Sequence, residues 1–298
     1  MTITIQQAVD TMPSWAGRRI EITPMGGGLT NSNFRVEVDG RPYFVRLPGA
    51  DTELLAVDRA NEIHNARAAS ETGVAPALLH VLPDDDVMIF AFVEGQTMSR
   101  ERLQAPGMPA RIAQSMKALH SGPRFLKDFD MFRLVEAYLD TVRVQDVAIP
   151  PDYRDHLPTV GEVELAVRRH ALPTVPCHND LLAENFMDDG QRLWLIDFEY
   201  SGNNDPCFEL GNTCQELQYT PDQYGELCGA YFGDVTPSRL ARMRLFALMS
   251  DVGWTLWGAI QSKISKLDFD FWDYASTRWS RAQAILQGPD LAHWLKDA

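Results

Sequence analysis

A chain of 298 residues is long enough to bury two cores, and 45% hydrophobic against 23% charged residues marks an ordinary folded protein, not a disordered one. With 41 acidic against 27 basic side chains the formal charge is -14, which argues against nucleic acid or an anionic membrane surface as partner and suits a cationic ligand. The longest apolar run, residues 87–93, is too short to span a bilayer, the N-terminus lacks signal-peptide character, and the four cysteines and seven histidines show no disulfide or zinc spacing, so a reduced cytoplasmic protein is expected.

Residues 6–12 read as a short helix and 20–23 as a strand leading into Met25-Gly26-Gly27-Gly28-Leu29-Thr30-Asn31-Ser32. The next strand alternates through Phe34, Val36 and Val38, turns at Asp39-Gly40, and returns through Tyr43, Val45 and Leu47, with Arg46 on the return. A glycine-rich loop between paired strands can lie flat over phosphates, because missing side chains let backbone N–H groups approach the oxygens. Gly27 and Gly28 are placed there, with Asn31 and Ser32 as added donors; a plain hairpin loop has the same composition. Residues 54–70 carry apolar side chains at helical spacing and stop before Gly73 and Pro76, with Glu62 mid-helix. Two further strands, 78–82 and 87–93, flank Asp84-Asp85-Asp86, read as a solvated turn and not a metal site. The sum is a sheet of about five strands plus a helix.

From residue 99 strand signals nearly vanish, and helices are expected over 109–120, 132–144 and 157–171; His120, alone at a helix end, reads as structural. The exception is 177–200, C-H-N-D-L-L-A-E-N-F-M-D-D-G-Q-R-L-W-L-I-D-F-E-Y. A two-residue turn at Asp189-Gly190 and a returning strand over 193–196 make a hairpin that brings Asn185 beside Asp197. An amide and a carboxylate are hard oxygen ligands for the divalent cations that neutralise a nucleotide triphosphate. Asp180 precedes Asn185 by five positions, the spacing of the kinase loop H-R-D-x-x-x-x-N, whose Asp orients the acceptor hydroxyl. Each residue alone decorates ordinary turns; the three in this order point to phosphoryl transfer.

H-N-D-x-x-x-x-N at 178–185 followed by I-D-F-E-Y-S-G at 196–202 resembles the choline/ethanolamine kinases, a branch of the aminoglycoside-phosphotransferase-like superfamily related to protein kinases. A second segment, W-x-x-W-x-x-x-Q-x-K-I-S from Trp254 and then Asp273-Tyr274-Ala275, carries the same resemblance. It implies an α+β, two-lobed protein-kinase-like fold: 1–95 as the nucleotide-binding lobe with an antiparallel sheet, and 96–298 as a mostly helical catalytic and substrate-binding lobe. The implied activity is transfer of the γ-phosphoryl of Mg-ATP to the hydroxyl of choline or ethanolamine. Asp180, Asn185 and Asp197 would be catalytic, with Asn185 and Asp197 holding Mg2+. Arg46 stands where kinases carry a phosphate-binding lysine, Glu62 would pair with it, backbone groups of Ala91 and Val93 would meet adenine, and Glu209 would stiffen the catalytic loop.

Trp254 and Trp257, three apart, and Phe271 and Tyr274 at the same spacing would by periodicity alone be core pairs. The resemblance instead makes them walls around a cation, with Tyr200, and with Glu216 as the carboxylate; Phe271 departs from the tyrosine usual there. A kinase for another cationic alcohol, such as an aminoglycoside or amino sugar, leaves the two tryptophans unexplained. A non-catalytic ATP or choline sensor would not need the intact Asp180, Asn185 and Asp197 set.

Overall fold

Alternation over the first hundred residues separates two faces of one sheet. The computed structural model describes residues 3–26, 31–49, 52–82 and 86–298, so Gly27, Gly28, Asp84 and Asp85 lie outside the described residues. A short helix α1 (Ile5–Asp10) precedes strands β1 (Ile20–Met25), β2 (Asn31–Val38) and β3 (Arg41–Pro48). Helix α2 (Arg59–Ser70) and strands β4 (Leu78–Leu82) and β5 (Val87–Ala91) complete an antiparallel sheet of order β1-β2-β3-β5-β4. Asp39 and Gly40, both at positive φ, form the two-residue turn that sets Val38 opposite Arg41. Val36, Val38, Val45, Leu47, Val87 and Ile89 then point to one face, where α1 and Trp15 close a small core. Phe44, Arg46 and Phe90, one position out of phase, face the opposite side.

The helix expected from residue 54 begins later. Thr52–Leu55 is a separate tight turn, Ala56 adopts φ +60, and Asp58 caps α2 by accepting the Asn61 N–H at 3.0 Å. Glu62 therefore lies in the first turn and not mid-helix, where a carboxylate suits the positive end of the helix dipole. The buried small residues Ala68 and Ala69 of α2 join the larger core of the helical half.

Beyond the sheet come β6 (Gln96–Thr97), α3 (Arg100–Leu103), α4 (Met108–His120), α5 (Met131–Val144) and α6 (Leu157–Arg169). Then follow β7 (Val175–Cys177), β8 (Phe186–Asp188), β9 (Leu193–Leu195), β10 (Gly202–Asn204), α7 (Pro206–Glu216), α8 (Pro221–Phe232), α9 (Pro237–Ile264), α10 (Phe271–Leu286) and α11 (Leu291–Asp297). Helix α9 is buried nearly all round from Ala241 to Gln261, so it reads as hydrophobic on every side and forms the centre of the lobe. The hairpin of β8 and β9 has a four-residue loop, not the expected two: Asp188 pairs with Leu193, and the Asp189 carboxylate accepts the N–H groups of Gln191 and Arg192, both at 2.8 Å. All four cysteines are buried and unpaired. Among the described residues no helix is long and apolar enough to cross a membrane.

Candidate active site

Strand β7 delivers His178 into a fully buried position where burial lowers its pKa, so the ring is neutral. Nδ1 accepts the Asp180 N–H at 3.3 Å, which leaves the proton on Nε2 to donate to the Ile196 carbonyl at 2.7 Å. Asn179 follows at φ +68, a conformation Asn tolerates better than most residues. Its amide donates to the carbonyls of Cys177, Tyr200 and Gly202 between 3.1 and 3.3 Å, and its backbone N–H donates to Glu209 at 2.9 Å. Glu209 on α7 thus accepts a backbone hydrogen bond of the 178–185 loop as expected, and its other oxygen lies 3.1 Å from Nε2 of His120.

The Asn185 amide donates to the Asp180 carbonyl at 2.7 Å, which leaves Oδ1 for another partner. The Ile196 N–H donates to the Asn185 carbonyl at 3.0 Å, so the hairpin sets Asn185 beside Asp197. Arg46 crosses from the sheet: one guanidinium nitrogen stands 2.9 Å from Glu62 and 2.7 Å from Asp197. Burial opposes both charges, yet Arg46 holds the Asp197 carboxyl below its usual range, and Asp197 and Glu62 keep the guanidinium protonated. Asp180 shifts the other way: burial first, then the charges of Glu216, Asp197 and Glu199, push its carboxyl well above the usual range.

Ligand atoms of Glu62, Asp197 and Glu199 lie within 4.8 Å of one another. Glu199, which accepts from the Asn31 amide at 3.1 Å, was missed from sequence, although it stands two positions after Asp197. Both oxygens of Glu62 are taken, one by Arg46 and one by Arg59, whereas Asp197 and Glu199, with Asn185 in the same cavity wall, offer hard oxygen donors of the type that suits magnesium.

A cavity of about 970 Å³ gathers these groups. Its walls include Arg46, Glu62, Ala91 and Val93 from the sheet side, Asp180, Asn185 and Asp197 at the two ends of the β8–β9 hairpin, and Tyr200, Glu216, Trp254, Trp257 and Tyr274 beyond. Three residues fall elsewhere. Ser32 pairs with Leu47 on the sheet's other face, so Asn33, opposite Arg46, takes the wall position. Asn31 reaches the site through Glu199. Phe271, 3% exposed, packs on Trp257 at 5.8 Å and is not part of the wall, where Phe269, 45% exposed, stands instead. The Ala91 N–H donates to the Ala77 carbonyl, so only its own carbonyl can meet a base edge. Trp257 donates to the Tyr200 hydroxyl at 2.8 Å, Trp254 lies edge-on to Tyr200 at 4.9 Å, and Trp257 meets Tyr274 at 5.5 Å. Glu216 is not an unpaired carboxylate: Arg278 donates to both of its oxygens, at 2.5 and 2.9 Å.

The family profile described as Choline/ethanolamine kinase matches residues 22–226. Ethanolamine kinase 2 of Mus musculus is 29% identical over 302 residues, covering 90% of this chain and 77% of that protein. A solved structure of a choline/ethanolamine kinase family protein from Mesorhizobium loti is 37% identical with a TM-score of 0.85, over 97% of this chain and 96% of the other. The choline kinase LicA from Streptococcus pneumoniae shares the fold at 22% identity and a TM-score of 0.80, over 95% of this chain and 98% of the other.

Proposed function

The chain belongs to the choline/ethanolamine kinase family, phosphotransferases that use ATP on a small cationic alcohol, and from that premise we propose that its acceptor is choline or ethanolamine. The observation that carries this reading is one cavity in which Asp180, Asn185 and Asp197 converge below the rings of Tyr200, Trp254, Trp257 and Tyr274.

Asp180, whose carboxylate has no hydrogen-bond partner among the described residues, orients the acceptor hydroxyl and takes its proton. Asn185 and Asp197, with Glu199, hold magnesium. The cation, when bound, offsets the charge of the triphosphate. Arg46, braced by Glu62, presents its remaining donors toward phosphate oxygens, which a forked guanidinium binds better than an ammonium. Backbone groups of Ala91 and Val93 meet the base. The surplus of carboxylates that, after burial, raises the pKa of Asp180 and so makes it a stronger base also draws a divalent cation and an ammonium into the cavity. Ring faces contribute roughly 0.5–2 kcal/mol each to a desolvated cation. Such a site works by placement and charge stabilisation.

The test is ADP release by the purified protein with Mg-ATP and a panel of choline, ethanolamine, aminoglycosides and amino sugars. Turnover should depend on choline or ethanolamine, and Asp180→Ala should lower kcat by about a hundredfold or more. Turnover confined to aminoglycosides or amino sugars, nucleotide binding without turnover, or an unimpaired Asp180→Ala variant would each remove the reading.

A further inference from the structure

Each oxygen of Glu62, fully buried in the first turn of α2, accepts from a different guanidinium: one from Arg46 at 2.9 Å, the other from Arg59 at 2.6 Å. Arg46 goes on to Asp197. Arg59, whose side chain is 13% exposed, goes on to Glu199 at 3.6 Å, and the same Glu199 oxygen accepts from the Asn31 amide at 3.1 Å. Taken in turn, Glu199, Arg59, Glu62, Arg46 and Asp197 alternate in charge. The alternation breaks at one junction, where the two ends of this series, Asp197 and Glu199, bring carboxylates within 4.8 Å of each other. A divalent cation placed there would complete it.

Arg59 is the first residue of α2, and the helix does not account for it, because a helix N-terminus is electropositive and disfavours a cation. Contact with a ligand does not account for it either: among the described residues the cavity wall includes Glu62 and Glu199 but not Arg59. Its placement is explained by what it joins. Glu62 lies on α2 and Glu199 two positions past Asp197, so one guanidinium ties the helix to the segment that follows β9.

We propose, resting on the magnesium assignment above, that Arg59 is a positioning residue for the metal: anchored on Glu62, it holds Glu199 at the metal's place before the nucleotide arrives. Like charges as close as those of Asp197 and Glu199 repel, and without a cation to restrain it Glu199 would turn away. A ligand group ordered in advance removes that rearrangement from the binding step. Arg59 does this while touching neither nucleotide nor acceptor.

The experiment titrates a non-hydrolysable ATP analogue into the full-length protein by calorimetry, over a series of Mg2+ concentrations and with no acceptor present. In Arg59→Gln the Mg2+ concentration that gives half-maximal affinity should rise about tenfold or more, as is usual when a residue that orients a metal ligand is lost. Affinity for the analogue with Mg2+ chelated should change far less. Arg59→Lys, which keeps the charge, should recover part of the loss. In a Glu199→Gln background, Arg59→Gln should move the Mg2+ requirement by less than about twofold, because Glu199 is its route to the metal. Steady-state KM for the acceptor should stay near the wild-type value. A merely structural role would weaken binding alike with and without Mg2+, and that result would overturn the inference. So would an Arg59→Gln variant with the wild-type Mg2+ requirement, or equal shifts in the two backgrounds. If Arg59→Gln does not fold, Arg59→Lys compared in the two backgrounds decides. Wild-type protein that binds the analogue equally with and without Mg2+ would remove the magnesium assignment first and this inference with it.

Discussion

Asp180 and Asp197 are both aspartates near opposite ends of the 177–200 stretch, yet their surroundings push them apart in pKa. Asp197 has Arg46 at 2.7 Å; Asp180 is desolvated by burial first and then faces the charges of Glu216, Asp197 and Glu199, with Arg278 only partly opposing them. An acid whose pKa is raised by folding binds its proton more tightly in the folded state, so ionising it costs stability. That cost is absent below the ordinary aspartate range, about pH 4, and grows as pH rises through it. Asp180→Asn removes the charge and keeps the shape. In the absence of nucleotide and magnesium it should melt higher than the wild type at neutral pH, by about 2–4 °C for each kcal/mol released, and lose turnover. Thermal melts from pH 3 to 8 check it: the gain should close toward acid, and an equal gain at every pH would refute the electrostatic cause. The separation of the two aspartates in pKa was not legible in the sequence, because the groups that produce it come from Arg46, Glu199, Glu216 and Arg278, four separate segments.

At the scale of elements, two non-glycine residues with left-handed backbone, Asn179 at φ +68 and Asp197 at φ +71, flank the site, a conformation that persists only where surroundings enforce it. For Asn179 the enforcement runs through α7, whose Glu209 accepts its N–H while holding His120 on the other oxygen. Glu209→Ala leaves the buried Asn179 N–H without a partner, a loss of about 1–3 kcal/mol, leaves Nε2 of His120 only the Cys177 sulfur at 3.6 Å, and frees the residue that precedes Asp180. We expect denaturant unfolding to show that loss, with kcat reduced about tenfold or more and KM for Mg-ATP changed far less. Glu209→Gln should retain much of both, because His120 can turn its Nε2 into an acceptor for the new amide; a Gln variant as impaired as the Ala variant would contradict this account. Local elements of this kind were largely readable. The turn at Asp39-Gly40 fixes the register that sets Asn33 opposite Arg46, so counting from the turn would have chosen Asn33 over Ser32. The start of α2 and the loop of the catalytic hairpin were misjudged for one reason: a single aspartate side chain, Asp58 or Asp189, captures backbone N–H groups that an apolar pattern does not register. The bond from Arg278 to Glu216 joins residues 62 positions apart, and no periodicity announces it.

On the scale of the whole molecule, the sheet and the helical half meet through buried polar contacts in addition to apolar packing. Asn61 and Asn65 of α2 both donate to the Ser201 carbonyl, at 2.9 and 3.0 Å, and Arg46 carries the sheet's charge to Asp197. The site therefore sits where the two halves are pinned, inside a molecule of formal charge -14. Such a field favours the approach of a cationic acceptor and disfavours that of Mg-ATP, which remains anionic. It acts over a Debye length of about 30 Å at 0.01 M salt but only about 8 Å at 0.15 M. The two substrates should consequently respond to salt with opposite signs: KM for the amino alcohol should rise between 0.01 and 0.15 M, while KM for Mg-ATP falls or holds, with kcat nearly constant. Above 0.15 M the acceptor's KM should level off, because carboxylates inside the cavity are screened far less than those on the surface. Steady-state kinetics across that range, with chloride and acetate salts compared to exclude ion binding, decide the matter. If both KM values rise together, long-range charge is not what brings the acceptor in, and recognition lies wholly with the groups that line the cavity.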